Sequence, residues 1–278
     1  MSKNDNLLAY VAELYYERGL SQQEIGSIIG SSRPTVSRLI EEAKRQGIVR
    51  IIIDICGKAA AALLSTYLQP GMTLGVTWGR SVNAVVDAID ENTFYDINVA
   101  QMVGCISMGN PTIDGFSTAQ RLARKMHGSY SSINTPLFVE GKEVYSYLIN
   151  EPMIHDALHK ASKIDVCVNG VGAFDDRKNS IHQSGYFESY NLDRYKEKGA
   201  VASFAGRFID IHGNQVDVDN IYTISAPLDV IHNAAVSIII NATAEKAEAT
   251  LAALNGGFAD ILIVDEPLAG KLLEFREK

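Results

Sequence analysis

The chain has 278 residues, 46% of them hydrophobic and 21% charged, a length that admits two domains and a composition typical of globular proteins. Its 25 Lys and Arg stand against 33 Asp and Glu, and a net charge of −8 argues against nucleic-acid binding over a broad face. No run of about 18 apolar residues reads as a membrane span, and the three dispersed cysteines (Cys56, Cys105, Cys167) exclude a CxxC zinc site or a disulfide framework.

The amino end, MSKNDN, is polar and lacks the apolar core of a secretory signal, so reduced thiols and a cytoplasmic location are expected. Charge is unevenly divided. Residues 1–50 carry seven Lys/Arg and six Asp/Glu, a balance of +1, while the remainder carries 18 and 27. Arg33 to Arg50 holds five of the cations, so any polyanion is expected on one restricted face, held by more than one copy.

Leu7 to Arg18 reads as a first helix, with Leu7, Val11, Leu14 and Tyr15 on one side; Tyr16 is either a phosphate contact or an ordinary exposed tyrosine. Ser21 with Glu24 forms a capping box that starts a second helix, in which Ile25, Ile28 and Ile29 fall at helical spacing. Gly30 ends it, and a third helix starts near Ser32, with Pro34 tolerated in its first turn. Val36, Leu39, Ile40 and Ala43 face inward, leaving Arg33, Thr35, Ser37, Arg38 and Glu41 outside.

Two short helices joined by so tight a turn make a helix-turn-helix, whose second helix enters the DNA major groove. Arg33 and Arg38 are candidates for guanine edges or phosphates, and Ser32, Thr35 and Ser37 for hydroxyl contacts. Arg33 at a helix start opposes the helix dipole, a placement that suits an arriving polyanion. The β-branched run IVRIIIDI that follows Gly47 reads as a strand, the wing of a winged helix. The domains are expected at 1–54 and 57–278.

Beyond residue 57, apolar β-rich runs alternate with helical periodicity: Thr73–Thr77 then Ser81–Ile89, Ile97–Met102 then Phe116–His127, Ile164–Gly170, Val236–Asn241 then Glu245–Leu254, Ile261–Val264 then Pro267–Phe275. That alternation predicts an α/β domain with a mostly parallel sheet covered on both faces, binding ligands beyond the carboxyl ends of its strands. The first such end is Thr77-Trp78-Gly79-Arg80-Ser81, where free N–H groups at a helix start, a cation and a hydroxyl form an anion site. Trp78 either stacks on a sugar ring or packs. Lys246 occupies the first turn of a helix, a place that asks for an anion unless Glu245 neutralises it. Gly104, Gly170 and Gly172 permit close backbone approach to a ligand, or make turns and nothing more. His155 and His159 lie four apart but have no third ligand, so no metal is expected; no convincing general base stands beside the anion loops, so no catalytic residue is expected, and no cofactor is expected either.

The stretch YYERGLSQQEIGSIIGSSRPTVSRLIEEAKRQGIVRI resembles the amino domain of the SorC family of sugar-binding transcriptional regulators, deoxyribonucleoside-regulator type. LGVTWGRSVNAV, GAVASFAGRFIDIHGN and EKAEATLAALNGGFADILIVDE continue the likeness in the family's order. The resemblance implies a Rossmann-like αβα domain similar to ribose-5-phosphate isomerase and glucosamine-6-phosphate deaminase, a phosphorylated-sugar effector, a double-stranded DNA operator and a homo-oligomer, dimer or tetramer. It implies that Asp210 faces sugar hydroxyls, although the same residue suits a cap on the Gly213-Asn214 turn. Val103 stands where the family often has a basic residue, and Ala242 and Thr243 stand where it has glycines. A linker, a helix and a first strand that the family places after the wing are expected to be absent here. The functional expectation is a regulator whose operator binding responds to a phosphorylated sugar. Its alternatives are a sugar-phosphate isomerase or deaminase with a DNA-binding appendage, and a constitutive DNA binder with a non-sensing dimerisation domain.

Overall fold

The computed structural model describes residues 3–12, 14–15, 20–45, 51–91, 96–106, 115–175 and 179–276. Three helices come first: α1 (Lys3–Ala12), α2 (Gln22–Ile29) and α3 (Arg33–Arg45). Val11, Leu14, Ile25, Val36 and Ile40 form their common core, and Leu8, Ala12 and Ala43 a second contact. The inward residue near the start of α1 is therefore Leu8, and Leu7 is exposed. Ile28 is also exposed, at 51%. At about 100° per residue, Ile25, Gly26 and Ile29 span one inward arc, and Ile28 falls roughly 60° to its far side. Tyr16, Arg18 and residues 46–50 lie outside the described residues.

The expected wing is corrected from residue 51 onward. Ile51–Tyr67 is a helix, α4, not a strand. Its second half, AAAALLSTY, is a strong helix former that buries Ala60, Ala61 and Leu64, and helix propagation carries back through the β-branched isoleucines. The expected boundary between residues 54 and 57 thus falls inside one continuous helix.

The rest follows in order: β1 (Thr73–Val76), α5 (Arg80–Ala88), β2 (Asn98–Gln101), α6 (Gly115–Lys125), β3 (Ser129–Ser131), β4 (Phe138–Glu140), α7 (Lys142–Asn150), α8 (Pro152–Ala161), β5 (Val166–Asn169) and β6 (Val171–Ala173). Then come α9 (Ser180–Gln183), α10 (Tyr186–Tyr190), α11 (Asp193–Glu197), β7 (Ala202–Phe204), β8 (Arg207–Ile209), β9 (Gln215–Val216), β10 (Ile221–Thr223) and α12 (Asp229–Asn233). The chain closes with β11 (Val236–Ile240), a 3-10 turn at Ala244–Lys246, α13 (Ala247–Asn255), β12 (Ile261–Ile263) and α14 (Glu266–Arg276).

The six-stranded sheet is parallel throughout, in the order β12-β11-β5-β1-β2-β3. Side chains alternate between two cores, as the strand repeat of two requires. Leu74, Val76, Val166, Val168, Ile238 and Ile240 pack with α4, α5 and α6. Ala100, Cys167 and Ile239 face α8, α13 and the antiparallel sheet β6-β7-β8-β9. This three-layer α/β domain behind a helical amino unit is the expected fold class. Strand order reverses between β1 and β5: the chain after β1 goes through α5 to β2 on one side, and the chain after β5 turns into β6 and reaches β11 on the other, so a crevice is expected at that switch point.

Candidate DNA-reading helix and ligand cleft

The helix-turn-helix is built from short-range bonds. The Ser21 N–H donates to Glu24 Oε2 at 2.8 Å, and the Glu24 N–H to Ser21 Oγ at 3.3 Å. Gly30 ends α2 at φ 66°, a left-handed conformation that suits glycine. Gly26 matters as much, because a Cβ there would lie 2.5 Å from the carbonyl oxygen of Ser31. Nothing larger lets the turn fold back, and periodicity does not reveal it. On α3, Arg33 and Arg38 are exposed, while Thr35 and Ser37 are half-buried. Ser32 Oγ lies 2.9 Å from Thr35 Oγ1 and accepts from the Thr35 N–H at 3.4 Å, so the exposed Ser32 hydroxyl also caps the helix.

A cleft opens at the carboxyl ends of β1, β5 and β11. It gathers Thr77, Trp78, Gly79, Arg80, Ser81, Gly170, Gly172 and Lys246 from three separate strand ends. Gly79 starts α5 at φ 124° with no side-chain cap, leaving the first N–H groups of the helix at the cleft. Ser81 is nearly buried beside them, and Arg80 is exposed. Lys246, which lines the cleft, donates through Nζ to the buried Asn241 Oδ1 at 2.9 Å. Of the described lining residues, two are cations and none is a carboxylate.

Residues that local patterns did not reveal join the lining, among them Ile53, Asn179, Ser180, Ser203, Ala205 and Gly206. They arrive by long-range packing. Asn179 Nδ2 donates to the Ala173 carbonyl and to Ser203 Oγ, both at 3.0 Å, fastening the start of α9 to the antiparallel sheet. Gly172 makes room for this pair, since a Cβ would stand 2.5 Å from both Asn179 Nδ2 and Ser203 Oγ. Gly170 is different. Its nearest would-be neighbours, the Ile240 carbonyl oxygen and Ser81 Cβ, are at 3.7 Å, so open space there belongs to the cleft.

Two expected ligand contacts lie elsewhere. Gly104 is absent from the lining, and a Cβ on it would meet Leu137 Cα and the Pro136 carbonyl oxygen at 2.9 Å; glycine serves chain packing there. Its carbonyl accepts from Trp78 Nε1 at 3.2 Å, which ties the indole to the wall. Asp210 accepts from the N–H groups of His212 and Asn214 at 2.9 and 2.8 Å and from Asn214 Nδ2 at 3.1 Å, capping the Gly213 turn. Partial desolvation pushes its carboxyl up, but the Asn214 and His212 bonds win and hold it below the ordinary carboxylate range. Among the described residues no group of three or more His, Cys, Asp or Glu could hold a metal, and no helix is long and apolar enough to cross a membrane.

A family profile described as "Putative sugar-binding domain" matches residues 51–274, and a Crp-like helix-turn-helix profile matches residues 7–63. The chain is 28% identical to the transcriptional regulator LsrR of Klebsiella pneumoniae subsp. pneumoniae, over 97% of this chain and 93% of that one. It is 26% identical to the uncharacterized transcriptional regulator YjhU of Escherichia coli K12, over 97% and 95%. These alignments run over 307 and 317 positions against 278 residues here, so both relatives carry residues without a counterpart in this chain. The crystal structure of the full-length sorbitol operon regulator SorC from Klebsiella pneumoniae superposes with a TM-score of 0.70 at 20% identity, covering 98% of this chain and 100% of that one.

Proposed function

The chain belongs to the SorC family of sugar-binding transcriptional regulators, and on that footing we propose that α3 reads an operator half-site while the cleft holds a phosphorylated sugar. The observation that carries the phosphate is the lining itself: Arg80, Lys246 and the open start of α5 converge where no described carboxylate lines the wall. A neutral sugar needs no such concentration of positive potential. Arg33 and Arg38, exposed on α3 beside the Ser32 and Thr35 hydroxyls, supply the groove contacts.

One helix-turn-helix with a balance of only +1 holds DNA weakly, so the working form is a homo-oligomer that presents two such units to half-sites a helical turn or a multiple apart. The protein works in the cytoplasm, beside its operator. Effector and operator each favour one arrangement of the subunits, and linkage makes their influence mutual. The enzymatic alternative fares worse, because an isomerase or deaminase needs a general base and the described lining offers neither carboxylate nor histidine. On this reading the residues that the relatives carry and this chain lacks fall where the family's linker, helix and first strand would lie, just before the stretch Gly57–Leu68.

Trp78 is the chain's single tryptophan and lines the cleft, so its emission reports occupancy. Titrating a panel of pentose and hexose phosphates beside the unphosphorylated sugars tests the reading. Only phosphorylated members are expected to shift the emission, without turnover, and Arg80→Ala is expected to abolish the shift. Equal binding of unphosphorylated sugars, or full binding by Arg80→Ala, refutes it.

A further inference from the structure

Ile53 is the one described residue before β1 that lines the cleft. It sits in the first turn of α4, the helix that leaves the DNA-binding unit. Only residues 46–50 separate it from α3, a tether that spans at most about 20 Å. Further along, α4 presses on α5 without slack. A Cβ on Gly57 would lie 2.6 Å from the Ala84 backbone, and Cys56, Ala60 and Leu64 share a core with Val82, Val85 and Val86. α5 in turn begins at Arg80–Val82, inside the same cleft. The helix joined most closely to α3 therefore meets the cleft twice, directly through Ile53 and indirectly through α5.

We infer that Ile53 is a ligand-contacting residue supplied by the helix that leaves the DNA-binding unit, so that α4 itself registers occupancy of the cleft. The inference rests on the cleft being the effector site. Its chemistry is a division of labour: cations and helix N–H groups take the phosphate, and the Ile53 side chain closes over the carbon skeleton. A branched aliphatic group recognises the apolar C–H face of a sugar by contact area and makes no demand on hydroxyl configuration. Burying Ile53 against a ligand strengthens the first turn of α4, and packed cores answer such a change by discrete shifts, not by gradual yielding.

Backbone hydrogen exchange on the full chain, with ribose 5-phosphate as probe and Trp78 emission setting saturation, tests this. The probe is expected to slow exchange at Arg80–Val82 and at Ile53–Gly57, each by at least about fivefold, the low end of usual couplings. Ile53→Ala is expected to keep the slowing at Arg80–Val82 and lose it at Ile53–Gly57, and Ile53→Val to keep both. Slowing at Arg80–Val82 with α4 unchanged, or an Ile53→Ala protein indistinguishable from the native one, overturns the inference. No slowing at Arg80–Val82 in the native protein would instead refute the cleft as the phosphate site, and this inference would fall with it.

Discussion

Lys246 donates its ammonium to the side-chain oxygen of Asn241, five residues earlier, at 2.9 Å. Asn241 is fully buried and donates through Nδ2 to the Val171 carbonyl at 3.1 Å and to Thr250 Oγ1 at 2.9 Å. A cation at the cleft is thereby aimed by an amide that also clamps β11 to β6 and α13. Lys246→Met should weaken phosphorylated-sugar binding by tenfold or more while leaving effector-free DNA binding unchanged. Asn241→Leu should lower both sugar binding and stability, because it also strands the Val171 carbonyl and the Thr250 hydroxyl, at about 1–3 kcal/mol for a buried unpaired group. Calorimetric titration and thermal melts separate the two outcomes.

Thr243 adopts φ 81°, a region in which a β-branched residue is strained, and its N–H donates to Asp265 Oδ2 at 3.0 Å. A glycine would hold this φ without strain. Thr243→Gly should relieve roughly 1 kcal/mol of strain and raise Tm by about 2–4 °C. It should also tighten sugar-phosphate binding by opening the approach to the backbone. A variant that melts lower than the native chain would show that the Thr243 side chain makes a compensating contact.

Gly170 and Gly172, two positions apart, call for opposite outcomes with the same substitution. Gly172→Ala drives a Cβ into Asn179 and Ser203, so stability and ligand binding should fall together. Gly170→Ala meets only ordinary contact distances, so the fold should keep its Tm while the methyl group, beside Ser81, narrows the cleft. Loss of stability in Gly170→Ala comparable to that in Gly172→Ala would contradict this distinction.

The Cys167 thiol is pushed up to about 11 by burial, with bonds to Ser237 and Asn169 acting the other way. An unfolded thiol ionises near 9, so above that pH the unfolded chain binds fewer protons than the folded one. Stability should therefore fall as pH rises from 9 towards 11, by an amount on the order of 2 kcal/mol from this group. Cys167→Ala should flatten that part of the profile, as followed by denaturant melts. An unchanged slope would show that other groups carry the alkaline loss.

The amino unit was legible because its information is local. A capping box needs two residues three apart, a helix face needs one turn, and Gly30 needs only its own missing side chain. The parallel α/β domain was legible for the same reason, as was the place of Thr77–Ser81 at the cleft, since a strand end, a glycine and a helix start lie within five residues there. Local reasoning misplaced what it could not weigh against distant partners. Ile51–Ile55 has strand-forming residues but belongs to a helix stabilised by α5 and the sheet. Gly104 and Asp210 have the right types for ligand contacts, but packing and turn geometry claim them.

Periodicity, charge division and turn chemistry alone pointed to a helix-turn-helix and to the alternating strands and helices of a parallel α/β domain, because each of those signals spans about fifteen residues or fewer. Only the tertiary structure decided that Asn179 and Ser203 join the strand end at Thr77–Ser81, that α4 is helical through the expected domain boundary, and that Ile53 reaches the cleft. Those outcomes depend on which surfaces meet after collapse, and close packing between segments far apart in the chain settles that question.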